Sequence, residues 1–166
     1  MGDLVEPVSQ VAQGDDVWAV REPFPSLYAR EYASLVRLAM RLVDNVEQAE
    51  EVTQDAFARL YVRYEQVRSP LAYVRVSVLN GARQVLRRRR LLRRQPEARV
   101  ESGALEANHV VDAVRRLPRR QCDAVLLRYE LQLSEAEIAA ALGMSPGTVK
   151  STLNRALARL RTEIPR

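Results

Sequence analysis

The chain has 166 residues, 47% hydrophobic and 28% charged, with a net charge of +5. That length holds one domain or two small ones, and the basic balance favours an anionic partner. A single cysteine, Cys122, excludes a disulfide framework and a cysteine metal cluster, a single histidine, His109, has no partner for chemistry, and no apolar run approaches the ~20 residues of a membrane span.

Residues 1–23 carry Gly, Asp, Gln and Pro without a sustained period and read as a flexible leader. The first twenty are acidic rather than basic and lack the apolar core of a secretory signal, so a soluble, cytoplasmic protein without membrane insertion is expected. A helix is predicted from about Ser26 to Val43, with Leu27, Tyr32, Leu35, Ala39 and Leu42 at the spacing of a buried stripe. Asp44-Asn45 breaks it and caps a second helix, about Val46 to Gln66. Its inward positions are Ala49, Val52, Ala56, Leu60 and Tyr64. Glu47, Glu50, Glu51, Gln54 and Asp55 crowd the outer side of its first half. Acidic residues near a helix N-terminus suit the dipole, so stability alone explains part of that cluster.

Ser69-Pro70 opens a third helix, Leu71 to about Arg94, with Leu71, Val74, Val78, Val85 and Leu86 on one side. The other side carries Arg75, Asn80, Arg83, Arg87 and Arg90 at helical spacing. The helix ends in Arg87-Arg88-Arg89-Arg90 and Arg93-Arg94, a density of charge that calls for an anion. Gly81 inside this helix costs roughly 1 kcal/mol relative to alanine. Residues 96–108 mix Gln, Glu, Ser and Gly and read as a linker. A short helix (Val110–Leu117) follows, with His109 at its start, and Pro118 restarts a helix to about Leu131. There Cys122 falls in register with Val125, Leu126 and Tyr129, as a small buried hydrophobe does.

The C-terminal stretch spells out a helix-turn-helix. Ser134 and Glu137 have the spacing of a reciprocal capping box, and Gly143 supplies the left-handed residue that ends the helix. Ser145 caps the next helix and Pro146 takes its first position. Val149, Leu153, Ala156, Leu157 and Leu160 form the apolar face. Thr148, Lys150, Ser151, Asn154 and Arg155 point outward. A small polar and cationic set at the start of a second helix is what reading a DNA major groove requires.

No strand-like alternation occurs. The expected fold is all-α, with two small helical domains (24–95 and 109–164) joined by the flexible linker 96–108, and the helix-turn-helix in the second. Domains of about 60–75 residues bury thin cores and depend on partners for their placement. No Gly-rich phosphate loop, metal-ligand spacing or nucleophile beside a base is present, so neither an enzyme nor a cofactor is expected.

Two small helical domains in this order, over about Phe24 to Glu163, resemble the extracytoplasmic-function (ECF) group of bacterial sigma factors, which keep only regions 2 and 4. Gln48-Ala-Glu-Glu-Val-Thr-Gln-Asp-Ala-Phe-Ala-Arg-Leu-Tyr61 is similar to the group's clamp-binding helix. Ser69-Pro-Leu-Ala-Tyr-Val-Arg-Val-Ser-Val-Leu-Asn80 with the arginine run is similar to its promoter-melting helix. Leu117-Pro-Arg-Arg-Gln121, Leu126-Leu-Arg-Tyr129, Glu137-Ile-Ala-Ala-Ala-Leu-Gly143 and Gly147-Thr-Val-Lys-Ser151 resemble region 4.

The resemblance implies roles. Glu51, Gln54 and Asp55 would dock on the coiled coil of the largest subunit of core RNA polymerase. The loop Tyr64–Pro70 would form the pocket for a flipped minus-ten base. Asn80 would contact the non-template strand of promoter DNA, with Arg75, Arg83 and Arg87 near its phosphates; Tyr73 is read either as a stacking residue or as half-buried packing. Lys150, Ser151 and Arg155 match the positions that read the minus-thirty-five element, with Thr148 near the backbone and Asn154 beside them. The linker would thread near the polymerase active site, and an anti-sigma factor is the implied inhibitor. Gln84 stands where many members have Asp, and Thr152 where many have Arg, which predicts a weaker backbone contact there. The alternative reading is a free-standing dimeric helix-turn-helix regulator, but no long self-complementary apolar face is evident outside the predicted cores. An RNA-binding protein would use the arginines and leave the base-reading helix without a role.

Overall fold

The computed structural model describes residues 21–93 and 109–164; the linker 96–108, Arg94 and all but the last three residues of the expected leader lie outside the described residues. Among the described residues there are seven helices: α1 (Phe24–Val43), α2 (Val46–Val62), α3 (Pro70–Arg93), α4 (His109–Arg116), α5 (Arg119–Tyr129), α6 (Glu135–Leu142) and α7 (Pro146–Glu163). The expected all-helical architecture is observed, with no strand among the described residues.

Local chemistry sets most boundaries. Asp44 ends α1 in the left-handed region (φ 55°), and its amide donates to the Met40 carbonyl at 3.1 Å. Asn45 then caps α2 through its Oδ1, which accepts the Gln48 amide at 2.8 Å. The second helix stops at Val62 rather than near Gln66, and residues 63–66 form a turn. The cause is tertiary. Arg21 donates to the carbonyls of Tyr64 and Val67, the latter at 2.8 Å, so these acceptors are satisfied outside a helix. Arg21 to Pro23, expected as the end of a flexible leader, are therefore tied to the α2–α3 turn.

The three N-terminal helices pack on one another around Phe57, Leu35, Leu38, Leu60, Val74 and Val78, all essentially inaccessible to solvent. Gly81 explains itself in this packing. A Cβ built on it would lie 2.9 Å from Val52 Cγ1, so the missing side chain lets α2 and α3 approach. In the C-terminal half, α4, α5 and α6 each contact α7, around Leu127, Ile138, Val149 and Ala156. Thr152 of α7 is also buried, at 4% exposure. It faces the core and presents no side chain to a DNA backbone.

The two halves touch. Helix α3 packs against α6, and polar contacts join α1 and α3 to α4 and α5.

Candidate nucleic-acid interface

The helix-turn-helix is built from local hydrogen bonds. Ser134 Oγ accepts the Glu137 amide at 3.2 Å, and Glu137 Oε2 accepts the Ser134 amide at 2.9 Å. The Ser134 amide and the Ser134 hydroxyl, which donates to Glu137 Oε2 at 2.8 Å, hold the Glu137 carboxyl below its ordinary pKa. Gly143 turns the chain at φ 63°, and Ser145 Oγ accepts the Thr148 amide at 3.2 Å to start α7. Burial of Val149, Leu153, Ala156 and Leu160 fixes the rotation of α7 about its axis. Thr148, Lys150, Ser151, Asn154 and Arg155 are all exposed as a consequence. Ser151 donates its hydroxyl proton to the Thr148 carbonyl at 3.0 Å, which leaves its oxygen as an acceptor. Arg155 donates through Nε to the Ser151 carbonyl at 3.2 Å and is otherwise exposed, a side chain suited to a bidentate acceptor.

The α3 face differs from the solvated stripe that periodicity predicts. Only Asn80 and Arg87 among its four predicted DNA contacts are exposed as whole residues. The Arg75 side chain is 11% exposed and lies 3.6 Å from Glu31, a buried acid of α1. Burial lowers the Arg75 pKa, with Glu31 opposing it. Its Nε has no acceptor, an arrangement that costs roughly 1–3 kcal/mol. Arg83 pairs with Asp123 of α5, whose side chain is 8% exposed. Asn80 accepts a hydrogen bond from Arg119 at 2.6 Å. Glu31 and Asp123 are the charged residues that sequence reasoning missed. Glu31 carried one signal, an acid four residues from both Leu27 and Leu35 on the buried stripe.

Tyr64 is buried, and its hydroxyl donates to the Glu22 carbonyl. It forms a wall of an open cleft of about 500 Å³, lined also by Arg21, Phe24, Tyr61, Val62 and Glu65. The Arg21 guanidinium lies 5.4 Å from the Tyr64 ring centroid. Tyr61, one helical turn earlier, is 67% exposed and meets Phe24 edge-on at 5.0 Å. The open aromatic ring at this rim is therefore Tyr61. Tyr73 is half-buried and packed against the core.

Glu51, Gln54 and Asp55 share an exposed face of α2. Gln54 Nε2 donates to the Tyr32 hydroxyl at 3.2 Å, and Asp55 stands 3.9 Å from Arg59. Exposed pairs of that length contribute little stability, so the face is open to a basic partner. Among the described residues no cluster of His, Cys, Asp and Glu has the makings of a metal site. No described helix is long and apolar enough to cross a membrane.

Comparison with known proteins follows the same division. Residues 27–91 match the Sigma-70 region 2 family and residues 108–160 match Sigma-70, region 4. The RNA polymerase sigma-E factor of Streptomyces coelicolor is 40% identical over 141 residues, 79% of this chain and 80% of that protein. The sigma-E factor of Streptomyces antibioticus is 38% identical over 151 residues, 85% of this chain and 84% of its own length. The ECF RNA polymerase sigma factor SigL of Mycobacterium tuberculosis is 29% identical over 151 residues, 82% of this chain and 85% of that protein. In three dimensions the chain is similar to the sigma factor RpoE solved with the anti-sigma factor NepR from Bartonella quintana. That match has a TM-score of 0.65 at 22% identity and covers 84% of this chain and 94% of the other. CnrH, solved with the cytosolic domain of CnrY, gives a TM-score of 0.64 at 23% identity, covering 84% of this chain and 85% of the other. With both regions matched in order and relatives 38% and 40% identical over most of its length, the chain belongs to the sigma-70 family of RNA polymerase sigma factors, in the ECF group.

Proposed function

We propose that this ECF sigma factor divides its work between residues 24–95 and residues 109–164, joined through 96–108. In the first domain Glu51, Gln54 and Asp55 dock on core RNA polymerase. Asn80 with Arg75, Arg83 and Arg87 holds the melted non-template strand of the minus-ten element. The turn from Tyr64 to Pro70 and the cleft beside it receive an unstacked base, with Tyr61 as the exposed ring. In the second domain Lys150, Ser151 and Arg155 read the minus-thirty-five element in the major groove, flanked by Thr148 and Asn154. The chain has no catalytic role of its own, because nucleotidyl transfer belongs to the polymerase, and it acts in the cytoplasm under the control of an anti-sigma factor.

The observation that supports this reading best is the pair of opposed surfaces on one chain. An exposed acidic face of α2 suits a basic protein, while cationic faces on α3 and α7 suit two separate stretches of DNA.

The test mixes the purified chain with sigma-free core polymerase, follows co-elution by gel filtration, and maps transcription starts on a genomic promoter library. Co-elution with new start sites is expected. Glu51→Ala combined with Asp55→Ala is expected to abolish co-elution; full retention on core polymerase overturns the docking assignment. A chain that ignores polymerase and shifts a palindromic duplex as a dimer overturns the whole reading.

A further inference from the structure

We infer, on the reading of the 64–70 turn as the base-receiving loop, that Arg21 is a positioning residue for promoter melting, strapping that loop to α1. Its guanidinium donates through one terminal nitrogen to the Tyr64 carbonyl and through the other to the Val67 carbonyl, the latter at 2.8 Å. The same group lies 5.4 Å from the Tyr64 ring centroid. The Tyr64 hydroxyl in turn donates to the Glu22 carbonyl, so Tyr64 is gripped at its backbone and at the far end of its ring. Two neighbouring residues thus hold a turn that lies 42 to 46 positions later in the chain.

The strap is itself anchored. Glu22 pairs with Arg30 of α1 at 2.6 Å. The Pro23 carbonyl accepts the Ser26 and Leu27 amides at 3.0 and 3.2 Å, which fixes the segment to the first turn of α1. Phe24 then meets the Tyr64 ring edge-on at 5.4 Å. The turn's own backbone support is slight by comparison: residues 63–69 lie in no helix, and the Gln66 and Val67 amides share the Arg63 carbonyl at 2.9 and 3.0 Å. A turn so lightly bonded has many shapes to lose when a base enters, and a planar fork on two of its carbonyls selects one in advance. The cleft of about 500 Å³ has the strap as one wall and Tyr61, Tyr64 and Glu65 as the other, so its shape depends on the grip between them. Walls ordered before binding spare the cost of ordering them during it. A lysine at position 21 would keep the charge and lose the two-point grip.

Arg21→Ala and Arg21→Lys in the full chain test this, with Tyr61→Ala as the reference for the cleft. Arg21 is exposed and outside the hydrophobic core, so both variants are expected to keep the original thermal midpoint. Hydrogen–deuterium exchange of the free chain reads the loop directly and is expected to quicken at residues 63–69 in both. Melting is read with holoenzyme on a promoter taken from the start-site library, carrying a fluorescent adenine analogue in the minus-ten non-template strand. The closed complex should form with unchanged affinity, while the rate of the fluorescence rise falls roughly tenfold, the weight of one charge-assisted hydrogen bond. Arg21→Lys should be slowed as Arg21→Ala is. Recovery of the original rate by lysine would make Arg21 a point charge on the DNA backbone and overturn the positioning role. Unchanged exchange at residues 63–69, or melting at the original rate in Arg21→Ala, overturns it as well. The reference variant separates the two failures: if Tyr61→Ala also melts at the original rate, the base-receiving reading of the cleft fails, and if Tyr61→Ala alone is slowed, only the strap does.

Discussion

Gly81 of α3 stands so close to Val52 of α2 that a Cβ there would lie 2.9 Å from Val52 Cγ1. Valine in a helix is held in essentially one rotamer, so the clash cannot be relieved by rotation. Gly81→Ala is expected to destabilise the N-terminal half by about 1 kcal/mol or more, overpacking outweighing the gain in helix propensity. In a Val52→Ala background the same substitution should stabilise by roughly 1 kcal/mol. Paired urea melts of the four chains read this reversal of sign.

The outward set on α7 separates specificity from stability. Lys150→Ala and Arg155→Ala each remove an exposed cation and no core contact. Each is expected to lower discrimination at the minus-thirty-five element by roughly 1–3 kcal/mol while thermal stability stays within about 0.5 kcal/mol. Open-complex formation by the holoenzyme on matched and mismatched promoters measures the first, and calorimetry the second. Loss of polymerase binding in either variant would contradict the assignment.

Glu137 links the helix-turn-helix to pH. Hydrogen bonds from the Ser134 amide and hydroxyl hold its folded pKa below the ordinary 4.5, so the folded state binds the proton less tightly than the unfolded chain. Its contribution is therefore present in full above pH 4.5 and lost as pH falls through the lower folded value. The stability difference between the original chain and Glu137→Gln should be constant near neutrality and shrink toward pH 3. A difference that is flat across the acid range would remove the capping role.

Cys122 is 4% exposed, and burial pushes its thiol pKa up while Arg83 of α3 partly offsets it. Both effects of burial, less thiolate and less access, slow attack on a disulfide reagent. Reaction with Ellman's reagent should be much slower in the native chain than in urea. Equal rates would place the thiol at the surface.

The helix-turn-helix was legible almost residue by residue because Ser134, Glu137, Gly143 and Ser145 act through bonds that span three or four positions. The end of α2 was not, since Arg21 captures the turn from more than forty residues away. The same distance problem hid the state of Arg75 and Arg83. Periodicity sees two cations on a polar stripe; it cannot see a carboxylate arriving from α1 or α5.

Arginine fills every basic side-chain position except Lys150 and His109. The sole side-chain amine of the chain is thus exposed on the helix assigned to base reading. A lysine-directed protease has one bond to cut, the one after Lys150, and the cut severs that helix and little else. An acylating reagent likewise strikes a single side chain, so shielding of Lys150 by a duplex becomes a footprint that needs no engineered label.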